Sequence, residues 1–581
     1  MRPRSAEASP TPAGTMAWWP YLLVGGLLGQ FLLRLLLSAG RTVPTMIPDE
    51  TGYLLAGRLL SGGAAGDLSG RTFYQAGYGL FIAPVTWFTS EPDAVYRSVI
   101  GINALLGGVL FLLMFGLMRR MGLARWPAYG MAHAGALLPG MVYWSQFALS
   151  DTLLTVVVTG WLLAAHSWLR SGRAGYGVAA GLAAAYASAV HSRGAAVFAV
   201  HMALVSLVLW RRRPALGRWG AAALAPLAAA AAGRLLNHWV EGKIYPAGAY
   251  SFLGFVGDRL TSLSGYAWTG SLVAGKLWYL SVSGWGLCTL GILVLAAVAG
   301  RRGADWADRV TAAAVLVTTA VIAVGMSMAL PDEGTMGNYA YGRYLLPLMP
   351  VLFAAGATAL VKAPVPVLGR AVLGLAAATA AALGIVWLYA GDALATRSYS
   401  TYDFPEMAFL SGEWDGLPMW PATWTALLVF GLLVAARIAF ARRGTVAVCA
   451  GGLCVLSIVM TAVVDRKITE PWNGRLAEAT SLHTVGLTAQ DRVAMVYPGM
   501  PWRIWTSHAF QARNGLTPFD PGYAGPPAPG ISLIIIPWDQ KSDPRGTWPA
   551  RSPGWYLAAV KPSYLGGWVA WRPGTAGAPA R

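Results

Sequence analysis

A chain of 581 residues that is 56% hydrophobic and 12% charged, with a mean hydropathy of +0.51, is too apolar for a water-soluble enzyme. Its formal net charge of +18 would suggest a nucleic-acid partner in a soluble protein. Most Lys and Arg instead stand in short segments between apolar runs, as the positive-inside bias requires, and nucleic-acid binding is set aside.

In chain order, residues 1–16 read as a polar cytoplasmic tail. The apolar run from Met16 to Leu37 is longer than a signal-peptide core and lacks a small-x-small cleavage site, so it is expected to be a retained signal anchor. Taking each run of roughly twenty apolar residues as one crossing, spans are expected near 17–39, 99–118, 127–145, 151–168, 176–191, 194–210, 219–236, 276–299, 310–330, 344–361, 371–391, 422–440 and 445–464. That makes about thirteen helices in a transmembrane domain over 17–464. The basic clusters Arg119-Arg120, Arg170 with Arg173, Arg211-Arg212-Arg213, Arg301-Arg302, Lys362 with Arg370, and Arg442-Arg443 alternate with loops poor in Lys and Arg. This pattern predicts a cytoplasmic N-terminus and an extracytoplasmic C-terminus in a plasma membrane. Cys288, Cys449 and Cys454 lie inside apolar runs and read as small core residues, with neither a disulfide framework nor a zinc site.

Two segments outside the spans carry pattern of their own. Loop 40–98 contains Thr51 to Leu60 and Tyr78 to Phe88, apolar stretches too short to cross, which suit helices lying in the membrane interface. The tail 465–581 changes character: 492–497, 531–537, 556–560 and 567–571 read as strands between Pro- and Gly-rich turns, predicting a small α/β domain.

Polar groups collect at the external ends of the spans. Asp49 and Glu50 follow Pro44 and Pro48 directly after the first span; alone they would read as helix N-terminal acids. Asp151, after Leu149-Ser150, falls at the same level and alone would read as an N-cap acid. Arg193 stands in the turn between two short spans, and Arg343 and Tyr344 follow Tyr339, Tyr341 and Gly342 in another short loop. Arg34 and Arg234 lie inside apolar runs, where they either face a protein interior or snorkel to the surface. Lys276 reads as an interface anchor. Tyr53, Tyr78 and Trp87 suit stacking on a sugar or lipid head group, though aromatic belts are common at this level. Carboxylates that take an acceptor proton, beside cations that stabilise a departing phosphate, suit transfer of a sugar from a lipid phosphate to a hydroxyl.

These residues carry a resemblance. Pro48-Asp49-Glu50 with Tyr53, Gln75-Ala76-Gly77-Tyr78-Gly79-Leu80, Leu149-Ser150-Asp151 and Gly342-Arg343-Tyr344-Leu345-Leu346-Pro347 make the chain resemble the C-type (GT-C) superfamily of integral-membrane glycosyltransferases. That group includes protein O-mannosyltransferases and the aminoarabinose transferases of lipid A. The resemblance implies Asp49 as general base with Glu50 beside it, and Asp151 as a second acid that orients the acceptor. It also implies Tyr53, Tyr78, Arg193, Arg343 and Tyr344 as substrate-binding groups. A divalent cation, Mg or Mn, is a candidate cofactor, held by Asp49 and Asp151 if by anything. The donor would be a polyprenyl-phosphate-linked sugar, transferred with inversion on the outer face to a cell-envelope glycan, lipid or protein. The chain departs from the family at Ala76-Gly77, where a Pro-Pro pair is frequent. The alternative readings are a transporter or flippase for lipid-linked sugars, which would place its site near the midplane, and a non-enzymatic envelope scaffold.

Overall fold

The computed structural model describes residues 18–46, 48–212, 216–440, 442–522 and 525–574, so the expected tail 1–16 lies outside the described residues. Among these residues, nine helices are long and apolar enough to cross a membrane, or up to ten if one sharply bent pair counts as a single span. The protein is a multi-pass membrane protein. All thirteen expected segments are helical, and the lower number arises where single segments depart from a straight apolar rod.

The 127–145 segment is two helices, Arg125–Ala136 and Pro139–Trp144. Pro139 cannot continue a helix, because it lacks the N–H and crowds the preceding turn. The break is supported from the first span: buried Arg34 donates from Nη2 to the free carbonyl of Ala136 at 2.6 Å and from Nη1 to Gln30 Oε1 at 2.6 Å. Arg34 is thus an interior group, whereas Arg234 is exposed. The 276–299 segment is also corrected. Helices Leu263–Ser283 and Leu287–Gly300 meet at 113°. At the corner Trp285 and Gly286 both have positive φ, 55° and 73°. A Cβ on Gly286 would lie 2.8 Å from the Phe430 ring, so a side chain is excluded there by contact as well as by conformation. Ala174–Val190 is apolar but only 17 residues long, and the expected 219–236 segment lies within the 29-residue helix Leu216–Ile244.

Loop 40–98 forms the two expected helices, Asp49–Leu60 and Ala76–Ile82, the second continuing as a 3-10 turn over Ala83–Trp87. The last span, Arg442–Val464, passes through a π-helical turn at Asp465–Thr469 into Glu470–Thr480. Beyond it lies a five-stranded mixed sheet: β1 (Val493–Met495), β2 (Leu516–Pro518), β3 (Leu533–Trp538), β4 (Trp555–Lys561) and β5 (Gly567–Pro573), in the order β2-β1-β3-β5-β4. β1 runs parallel to β2 and β3, and β5 is antiparallel to β3 and β4. The four expected strands are present, and β2 is a short edge strand that the sequence pattern does not announce. The connection from β1 to β2 is the helix Trp502–Gln511.

That helix docks the sheet unit onto the helix carrying Asp49. Arg58 donates to the carbonyls of Ala509 at 3.2 Å, Phe510 at 3.2 Å and Ala512 at 3.0 Å, satisfying the unpaired end of Trp502–Gln511. Arg513 pairs with Glu91 across the same boundary. The three cysteines are free; Cys288 and Cys449 are buried, and Cys454 is half-buried.

Candidate active site

Four segments far apart in sequence meet at one ion-pair chain. Asp49 opens the helix Asp49–Leu60, Asp151 opens Asp151–Ser171, Arg193 sits in the turn before Gly194–Arg212, and Arg343 lies on the 3-10 turn Gly342–Leu348. Arg343 joins the two acids. Its Nη2 lies 2.8 Å from Asp151 Oδ2, its Nε 3.2 Å from the same oxygen, and its Nη1 3.1 Å from Asp49 Oδ2. Arg193 extends the chain, its Nη2 2.8 Å from Asp151 Oδ1. Both oxygens of Asp151 are therefore held by guanidinium groups, and the residue is fully buried. Charge-assisted contacts of this kind offset the desolvation of a buried carboxylate.

Asp49 stands differently. Its side chain is 32% exposed, and its second oxygen accepts one hydrogen bond, from the Tyr74 hydroxyl at 2.8 Å. With one contact on each oxygen and part of the carboxylate exposed, it keeps acceptor capacity, as a proton acceptor needs.

Glu50 is fully buried and accepts four hydrogen bonds. Oε1 receives the backbone N–H groups of Thr45 and Met46, each at 2.6 Å, and Oε2 receives the Tyr96 hydroxyl and the Ala148 N–H, each at 2.7 Å. Burial pushes its carboxyl above the ordinary value, against the lowering by these donors. Glu50 thereby ties the segment before Asp49 to the segment before Asp151. Asn103 does similar work, donating to the Phe147 carbonyl at 2.7 Å and accepting from the Tyr78 hydroxyl at 3.1 Å.

The aromatic expectations divide. Tyr53 and Tyr78 are 2% and 0% exposed, pack edge to face 5.2 Å apart, and have their hydroxyls engaged by Ser150 and Asn103. They are core rings rather than open stacking surfaces, because the helix Ala76–Ile82 packs directly on Asp49–Leu60 with Gly79 against Ala56. Tyr344 is half-buried, with Tyr341 at 5.1 Å and both Lys276 and Arg193 near its ring face. Trp87 is 70% exposed. Lys276 is not an interface anchor. It lies mid-helix because that helix starts at Leu263, is fully buried, and donates to Ser327 Oγ at 2.8 Å; no carboxylate among the described residues pairs with it.

Arg193 is 3% exposed, and all its nitrogens are used: Nε on His191 Nδ1 at 3.3 Å, Nη1 on the Arg343 carbonyl at 3.0 Å, and Nη2 on Asp151. Burial and the Arg193 charge hold His191 well below its ordinary pKa, consistent with a neutral ring accepting these bonds. Among the described residues no three His, Cys, Asp or Glu side chains come together as a metal site. The Arg343 guanidinium lies between the carboxylates of Asp49 and Asp151, so this pair does not fit a shared Mg or Mn ion.

Asp403, which the sequence pattern did not single out, faces the same group. Burial raises its pKa from 3.8 to about 6, the nearby Arg343 opposing and Asp49 and Glu333 adding to the rise. It sits in the 392–421 loop with no motif around it, so only the fold reveals its position.

No family model and no curated protein matches the chain. Solved structures do match. The crystal structure of ArnT from Cupriavidus metallidurans bound to undecaprenyl phosphate aligns with a TM-score of 0.54 at 16% identity, over 95% of this chain and 98% of that one. The same protein in the apo state aligns with a TM-score of 0.52 at 17% identity, over 95% and 97% of the two chains. The likeness is one of fold and extends through the sheet unit: this chain has the fold of the C-type integral-membrane glycosyltransferases.

Proposed function

We propose that this protein is a glycosyltransferase that moves a sugar from a polyprenyl-phosphate donor to an acceptor hydroxyl at the outer face of the plasma membrane, with inversion at the anomeric carbon. The observation that carries this reading is Asp49: a partly exposed carboxylate held in place by Arg343, at the end of a buried ion-pair chain, in a fold shared with a protein crystallised with undecaprenyl phosphate.

In this reading Asp49 accepts the proton of the acceptor hydroxyl as its oxygen forms the new bond to the anomeric carbon. The bond from that carbon to the phosphate oxygen breaks, and the polyprenyl phosphate leaves with the electron pair. Arg343, 10% exposed, is the cation placed to steady the departing phosphate, and buried Lys276 beside the Tyr344 ring is a second. Asp151 and Arg193 act as supports that hold Arg343, and Glu50 positions the chain on either side of Asp49. The N-terminus is cytoplasmic and the sheet unit extracytoplasmic, by the alternation of basic loops. The acceptor is a cell-envelope glycan, lipid or protein, and the proposal routes no step through a metal.

The test compares membranes containing equal amounts of wild type, Asp49→Asn and Asp151→Asn for turnover of labelled polyprenyl-phosphate sugars with envelope extract as acceptor. Consumption of one donor by wild type and not by Asp49→Asn supports the reading. If all three proteins leave every donor unconsumed, and cells lacking the protein accumulate lipid-linked sugar on one leaflet, the flippase reading replaces it.

A further inference from the structure

Where the sheet unit meets the membrane domain, two arginines stack on tryptophans and leave their donors unused. Arg503 stands over the rings of Trp502 and Trp472, 4.4 and 5.0 Å from their centroids, and Arg71 over Trp502 and Trp505, at 5.6 and 5.4 Å. Arg71 comes from loop 40–98, Trp472 from the helix Glu470–Thr480, and the others from Trp502–Gln511. Tyr402 and Tyr564 extend the row, 5.7 and 6.1 Å from the Trp472 ring. Tyr564 is 57% exposed, and the rest of the row is half-buried.

Neither guanidinium has a hydrogen-bond or ion-pair partner among the described residues, and none of their nitrogens is sealed from solvent. Stacking occupies the flat face of a guanidinium and leaves its N–H donors free at the edge. Two like charges thus stand over one ring, that of Trp502. Partial burial disfavours both, and Asp403 acts on Arg503 only at a distance. A staple between segments needs only the stacking, whereas neighbouring cations with open edges also match an anion.

The row borders Asp49. Tyr74, three residues after Arg71 and within reach of its charge, donates to Asp49 at 2.8 Å. The Thr51 hydroxyl donates to the Thr506 carbonyl at 3.5 Å, and Arg58 reaches the carbonyl of Ala512 at 3.0 Å, so the helices Asp49–Leu60 and Trp502–Gln511 run side by side in one direction. Asp49 and the pair Trp502-Arg503 therefore open their helices at the same end.

We infer that the acceptor is an anionic saccharide, its carboxylate or phosphate groups held by Arg71 and Arg503 and one of its rings resting on Tyr564. This rests on the transferase reading of Asp49, which needs a hydroxyl nearby, and sugar rings supply hydroxyls. The C–H face of a pyranose is flat and apolar and matches an exposed aromatic ring. A neutral glycan leaves the two cations unmatched.

The experiment titrates purified full-length protein with digalacturonate, trehalose 6-phosphate, neutral trehalose, inorganic phosphate and a tetra-aspartate peptide. Saturable binding of at least one of the two anionic sugars is expected, and which one binds names the anion. Arg503→Gln and Arg71→Gln should each weaken it about tenfold, as loss of a charge-assisted contact implies, and Arg503→Lys should restore part of the loss. Tyr564→Ala, an exposed ring, should weaken it about threefold and decides the matter should the arginine variants fail to fold. Asp49→Asn should bind as wild type does, so failed transfer with intact binding counts against the transferase reading and not against this site. Absence of binding by both anionic sugars overturns the proposal, as do equal binding of neutral trehalose and unchanged binding in all folded variants. Equal competition by inorganic phosphate identifies a free-anion site, and tighter binding of the peptide a protein acceptor; either overturns the saccharide assignment.

Discussion

Asp49 and Asp151 are the same residue type, each the first residue of a helix, and each contacts Arg343, yet their surroundings assign them different work. Asp151 is fully buried with each oxygen 2.8 Å from a guanidinium, so it has no lone pair to offer a substrate without breaking an ion pair. Asp49 is a third exposed and shares one cation at 3.1 Å. Two carboxylates on one cation are thus separated by their exposure and by what occupies their oxygens. One is suited to accepting a proton, and the other to holding a cation still.

The comparison breaks if the two asparagine variants behave alike. Asp151→Asn should have the largest effect, because it leaves Arg193 and Arg343 buried with their shared counter-charge removed. Breaking a buried pair costs about 3–5 kcal/mol, so thermal unfolding of the purified protein should shift down and activity should fall with the folded fraction. Asp49→Asn should instead lower turnover by about 10²–10⁴-fold, the usual worth of a positioned base, with an unfolding midpoint near wild type. An Asp49 variant that unfolds, beside an Asp151 variant that is stable and inactive, would reverse the assignment.

Arg343→Lys sharpens the comparison, since one ammonium cannot replace a guanidinium bonded to two separate carboxylates. A loss of about 1.5–3 kcal/mol, as for a charged hydrogen bond, is expected in unfolding measurements, with turnover reduced alongside. Asp403→Asn should have the smallest effect, and its sign is defined. The folded state raises this carboxyl from 3.8 to about 6, so the native protein holds a proton that the unfolded chain releases, and stability is lost as pH rises through that interval. The variant should flatten that part of the stability profile. An unchanged slope would show that Asp403 is not held in its protonated form.

Much of the site was legible before the fold was known. Pro48-Asp49-Glu50, Asp151, Arg193 and Arg343 each stand at a polar break beside an apolar run, and a bilayer forces such breaks toward its surfaces. The roles were less legible. Glu50 and Asp49 are neighbours in sequence, but successive helix residues point about 100° apart, which turns one into the interior and leaves the other at the edge. Tyr53 and Tyr78 resemble belt aromatics in pattern and are core rings in fact, because a second short helix covers them. Lys276 read as an interface anchor and Asp403 gave no signal, since neither belongs to a motif and both reach their positions through helix boundaries that hydropathy does not mark.

The sequence by itself determined that the chain is a many-helix membrane protein with a small α/β unit at its end, and where its polar groups collect. Those properties follow from hydrophobic run length and strand pattern, which are local. Only the tertiary structure decided which acid stays partly exposed, which arginine bridges, and where the helices at Pro139 and Trp285 break. Those depend on contacts between residues more than a hundred positions apart, such as Arg343 with Asp151 and Arg41 with Asp465, which burial and hydrogen-bond satisfaction select and no local pattern encodes.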